Sequence, residues 1–170
     1  MSEYTVVVAD TLRARFFSME RAKDPANESG PKLVEGEGFV NPEQEITKSN
    51  QAGRSLSGRT RSPSGGSYAF DDHRAKHKQD ALRRFAKKVI TRAIKQTLRQ
   101  DARRCLVIAA EKKVLGALRA ELATIKTNGL EIRECDRDMA GETPLKIQAL
   151  LARRDLVPAL KKPGQMARKT

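Results

Sequence analysis

Two apolar runs limit this chain more than any other feature. Tyr4 to Asp10 reads YTVVVAD and Cys105 to Ala110 reads CLVIAA, and neither alternates with polar residues. A half-wet strand alternates, so runs of this kind belong to strands buried on both faces. The first also closes on a carboxylate, Asp10, as a central strand ending at the edge of a site would.

The stretches around these runs supply the remaining elements. Ala14 to Glu20 and Leu33 to Val40 read as second and third strands, the third weakened by two glycines, with turn chemistry from Lys23 to Lys32 between them. From Asp71 or Asp72 to Gln100, Leu82, Phe85, Ala86, Val89, Ile90, Ala93, Ile94 and Leu98 gather on one face of a long helix. Lys113 to Ala123 repeats the pattern with Val114, Leu115, Leu118 and Leu122, and Leu130 to Cys135 reads as a strand near an edge. ETPLKIQALLARRDLV opens a last helix, with Thr143 as N-cap and Pro144 at the first helical position. Hairpin strands followed by alternating helices and strands spell an α/β fold, a mixed, mostly parallel sheet of about five strands flanked by three helices. With 170 residues, 38% of them apolar, there is enough for one modest core. The expectation is one domain over residues 1–160, a long mobile basic loop over 41–71 inside it, and a disordered basic tail over 161–170.

Charge is distributed unevenly. Residues 1–53 carry net −3 and residues 105–152 net 0, while residues 54–104 hold fifteen basic and four acidic groups, net +11, and 153–170 add net +5. Concentrated cations beside a neutral body are a footprint for a polyanion. On the long helix, Arg83, Arg84, Lys87, Lys88, Arg92, Lys95 and Arg99 face away from the apolar stripe, with no Glu from Asp72 to Gln100 to pair them. Cations kept together against their mutual repulsion point to a polyanion as the expected partner. Arg54, Arg59, Arg61 and Arg74, with Arg83, Arg84, Lys87 and Lys88, are the candidate contacts.

Other chemistries find less support. No apolar run approaches the roughly 20 residues of a membrane-spanning helix, and the N-terminus lacks the pattern of an export signal, so a cytoplasmic protein without a membrane partner is expected. Five Phe, two Tyr and no Trp argue against a stacking platform for single-stranded bases. No glycine fingerprint for a nucleotide cofactor follows the first strand, and Asp10 either serves a ligand at the strand end or caps the turn after it. His73 and His77 stand four apart, but nothing completes a metal set beside so many cations. Cys105 and Cys135 read as buried thiols. No residue has the neighbours of a nucleophile, so no catalytic residue and no cofactor are assigned.

Several short pieces together resemble one family. Val7 to Asp10 with Arg13 to Phe16, then FVNP at Phe39 to Pro42, GRS at Gly53 to Ser55, RFA at Arg84 to Ala86, VLGALR at Val114 to Arg119, and Asp136 to Asp138 followed by Thr143 to Leu151 occur in order. In this the chain is similar to bacterial host-attachment proteins, those described as required for attachment to host cells, over residues 4–155. The resemblance marks Asp10, Asn41, Pro42, Gly53, Arg54 and Ser55 as family-motif positions. That family is in turn similar to the middle domain of eukaryotic and archaeal class-I peptide release factors, where a Gly-Gly-Gln loop precedes a long helix. Gly65-Gly66-Ser67 stands in that place here, with Ser67 where the glutamine would be. The release-factor resemblance implies an RNA- or ribosome-facing loop, and the lack of an export-signal pattern makes an indirect role in attachment the expectation. The alternatives are a release-factor-like peptidyl-tRNA hydrolase or ribosome-rescue factor, and a direct binder of acidic surface polymers.

Overall fold

The computed structural model describes residues 4–42, 69–99, 104–127 and 129–163, with backbone alone for 69–75. Its elements are β1 (Tyr4–Ala9), β2 (Arg13–Glu20), β3 (Lys32–Glu35), β4 (Phe39–Val40), α1 (Ala69–Leu98), β5 (Cys105–Ala110), α2 (Lys112–Leu122), β6 (Glu131–Asp136) and α3 (Pro144–Ala152). They build an α/β fold on a mixed sheet of order β3-β2-β1-β5-β6. β1, β5 and β6 run parallel, with Ala9, Ala110 and Asp136 in register, whereas β2 is antiparallel to β1, β3 and β4.

Strand alternation then sorts the core into two layers. Val7, Ala9, Ala14, Phe16, Leu106 and Ile108 face α1 and α2, while Val6, Val8, Phe17, Val107, Ala109 and Cys135 face Ile147 and Leu151 of α3. All six residues of β1 and of β5 are buried, which accounts for the unbroken apolar runs. Cys105 and Cys135 are buried free thiols.

The expected third strand is broken in two. β3 pairs with Phe17 to Glu20 and β4 with Arg13 and Ala14 of the same neighbour, so Gly36-Glu37-Gly38 interrupts one continuous edge. A Cβ on Gly38 would lie 2.6 Å from the Ala14 carbonyl oxygen, so the backbone approaches there as only glycine allows. α1 starts at Ala69, just before the expected Asp71, since alanine extends a helix readily. Near its end Leu98 is 46% exposed, and Thr97 takes the core position with its hydroxyl donating to the Ala93 carbonyl at 2.7 Å. The last helix stops at Ala152, not Val157, because Asp155 turns left-handed at φ 55° and the Leu156 amide returns to the Leu151 carbonyl at 3.1 Å. Val157 is thereby folded back into the α3-side core. Thr143 caps α3 as expected, its hydroxyl accepting from the Lys146 amide at 3.4 Å.

One buried polar side chain binds three segments. Gln148, 2% exposed on α3, accepts from the Leu33 amide at 3.0 Å and donates to the carbonyls of Pro31 at 2.8 Å and Pro158 at 3.1 Å. Lys161 pairs with Gly30 through two backbone hydrogen bonds of 3.0 Å.

Candidate functional site

α1 buries Leu82, Phe85, Ala86, Val89, Ile90 and Ala93 and turns its other side to water. Lys76, Lys78, Arg83, Arg84, Lys87, Lys88, Lys95 and Arg99 are exposed, and Asp80 is the sole carboxylate among residues 76–99. The expected uniform row of unpaired cations needs correction, because among the described residues acids distant in sequence reach Arg92 and Arg83. Arg92 donates to Glu37 at 3.1 Å and lies over the rings of Phe16 and Phe39, at 5.0 and 5.9 Å. Arg83 meets Glu121 at 3.4 Å. Arg83 remains 77% exposed, so that pair leaves its charge largely available. Lys87, Lys88 and Lys95 make no ion pair among the described residues. Of the remaining expected contacts, Arg54, Arg59, Arg61 and the side chain of Arg74 lie outside the described residues, as do Gly53 and Ser55 and the side chain of His73.

Beside this face, Phe39, Val40, Asn41, Pro42, Arg84, Phe85 and Lys88 line a groove of about 330 Å³. It joins two motifs that are far apart in sequence, FVNP and RFA. Phe39 sets its geometry by stacking on Phe16, with centroids 5.7 Å apart, and by meeting Phe85 edge-on at 5.6 Å. The ring cluster and the Arg92 guanidinium above it fix the end of β4 against α1. Sequence reasoning found Arg84, Lys88, Asn41 and Pro42 but not the groove between them. Among the described residues, none of the expected site residues lines the groove by Tyr4 and Pro31 or the one along α3.

The remaining motif positions form a hydrogen-bonded corner at the carboxyl end of β1. The Asp10 carboxylate accepts from the amides of Leu12 at 2.6 Å and Arg13 at 2.7 Å, so of its two readings the turn cap is the one observed. Asn41 locks the same turn, its amide donating to the Leu12 carbonyl at 2.6 Å and its side chain to the Thr11 carbonyl at 3.1 Å. Arg13 and Arg15 both reach the Ala140 carbonyl, at 2.9 and 3.0 Å, and Asp138 accepts from the Ala140 amide at 2.9 Å. Arg15 also donates to the Glu142 carbonyl at 2.7 Å and forks onto Glu35 at 2.6 and 2.7 Å. That fork holds the Glu35 carboxyl below its ordinary range against the opposing effect of burial. These charges are spent on architecture. Among the described residues, no three His, Cys, Asp or Glu side chains gather as metal ligands.

The corner and the groove together cover most of the short motifs. The family profile described as "protein required for attachment to host cells" matches residues 5–151, from β1 through α3. The chain belongs to this family. No curated protein matches it. Within this host-attachment fold, the motif residues of the corner stabilise the turn after β1, while of those along the groove Val40, Pro42 and Arg84 face solvent beside the basic helix and Phe85 is buried. None of its described helices is long and apolar enough to cross a membrane.

Proposed function

We propose that this host-attachment protein binds RNA, free or within the ribosome, through the basic face of α1 and the arginines of the 53–67 stretch. Its part in attachment is then indirect, exerted from the cytoplasm. The observation that carries this reading is the sign of the exposed helix face. Over residues 76–99 a single carboxylate, Asp80, accompanies the cations, and Lys87, Lys88 and Lys95 have no acid partner among the described residues. A solvated face mixes signs; a phosphate-binding face does not.

Counter-ion release gives the test. Engagement of about five phosphates makes log affinity fall with log salt at a slope of about −3.5 on single strands and −4.5 on duplex. Lys87→Glu with Lys88→Glu removes two contacts and reduces the slope by about 1.4 to 1.8. A salt-independent response rejects the reading.

A second reading, a release-factor-like hydrolase of peptidyl-tRNA, draws on the position of Gly65-Gly66-Ser67 immediately before α1 starts at Ala69. Release of peptide from charged ribosomes by the wild type but not by Ser67→Ala would establish it, and no release above background would end it.

A further inference from the structure

The groove between the end of β4 and α1 narrows the class of RNA, and the inference rests on the RNA-binding reading above. Two kinds of wall meet there. Val40, 50% exposed, lies with Phe39, Pro42 and Phe85 on the apolar side. Arg84 and Lys88 stand on the other, both exposed and one helical turn apart, about 6 Å along the axis. Among the described residues no carboxylate lines the groove, and Glu37, on the β3–β4 connection, is already paired with Arg92.

A volume of about 330 Å³ suits a small, single unit, at the lower end of the range for small-ligand sites. Duplex RNA keeps its bases stacked and presents phosphate and sugar, which would leave the apolar wall without use. An unpaired nucleotide carries a flat apolar base joined to an anion, and so matches both walls at once. The scarcity of aromatic residues fits one gripped base, not a tract of them. Three of the five phenylalanines, Phe16, Phe39 and Phe85, are concentrated in the cluster behind this groove.

We propose that the groove holds one unpaired nucleotide of single-stranded RNA, its base against Val40, Pro42 and Phe39 and its phosphate on Arg84 and Lys88. The experiment is fluorescence anisotropy of the full chain with a labelled single-stranded 12-mer and the matching duplex, across a salt series. The single strand should bind tighter. Val40→Gln should weaken it about threefold to tenfold, as expected for loss of an apolar contact with the base, with an unchanged salt slope and unchanged duplex affinity. Lys88→Gln should weaken both and reduce the single-strand slope by about 0.7. On the wild type alone, AMP should displace the 12-mer at lower concentration than inorganic phosphate.

Equal binding of single strand and duplex, a silent Val40→Gln, or equal competition by AMP and phosphate overturns the groove assignment while leaving the basic-face reading intact. Displacement by an acidic peptide but not by AMP overturns it in favour of a protein partner. Absence of salt-dependent binding to either RNA overturns both readings.

Discussion

Replacing Arg15 by Met tests whether the motif corner stands on hydrogen bonds or on its ion pair. Arg15 is 15% exposed and its partner Glu35 37%, so their attraction is partly screened and contributes about 0.5 to 1 kcal/mol. Its other contacts are less easily replaced. The Glu142 carbonyl loses its charged donor, at about 1.5 kcal/mol, whereas the Ala140 carbonyl keeps Arg13 and loses about 0.5 kcal/mol. Contact of the guanidinium with the Phe17 ring at 5.0 Å contributes about 0.5 kcal/mol more. Arg15→Met should therefore cost about 3 kcal/mol, a fall of about 6 to 12 °C in Tm for a chain of this size. Glu35→Gln should cost no more than about 1 kcal/mol. Urea unfolding followed by circular dichroism measures both. Equal losses for the two variants, or an Arg15→Met within about 0.5 kcal/mol of wild type, would refute the reasoning. The pH dependence has a fixed sign. Because the Arg15 fork lowers the folded-state pKa of Glu35, its contribution is complete above the unfolded value of about 4.3 and is lost as pH falls through the folded value. The gap between wild type and Glu35→Gln should thus persist from neutrality to about pH 5 and close below the ordinary carboxylate range.

The two glycines of the β3–β4 break should respond differently to alanine. Gly38→Ala places a Cβ 2.6 Å from the Ala14 carbonyl oxygen and should destabilise by about 2 kcal/mol or more, while Gly36→Ala, 3.6 Å from the nearest atom, should stay within about 0.5 kcal/mol by the same unfolding assay. Gly116 sits inside α2 with nothing within 4 Å of a built Cβ, so Gly116→Ala should raise stability by about 0.5 to 1 kcal/mol, read as a higher urea midpoint.

The architecture was legible where the signal is local. Uninterrupted apolar runs marked the two central strands, the three-and-one spacing marked α1 and α2, and Thr143-Pro144 marked the start of α3. Glycine content warned of weakness in the third strand, but the break itself follows from the close passage of Gly38 past Ala14, a tertiary fact. The charge on α1 was read correctly in sign and too simply in pairing. Glu37 lies 55 residues from Arg92 and Glu121 38 residues from Arg83, beyond any rule based on neighbouring turns. For the same reason the motif pieces could be recognised singly, yet nothing local showed that Arg13, Arg15 and Asp138 converge on Ala140, or that Asn41 holds the turn capped by Asp10. Gln148 gave no warning at all. A glutamine in a helix is ordinarily wet, and only its three backbone partners from Pro31, Leu33 and Pro158 explain its burial.

That glutamine also bears on how copies of the chain behave toward one another. An open sheet has two rims, each able to recruit a strand from a neighbour. At the β3 rim the outward amide of Leu33 is already engaged by the Gln148 side chain, and at the β6 rim four of the six residues, Glu131, Arg133, Glu134 and Asp136, are charged. One border thus has an amide already occupied and the other carries mostly charged side chains, features of the described residues that disfavour the addition of a neighbour's strand.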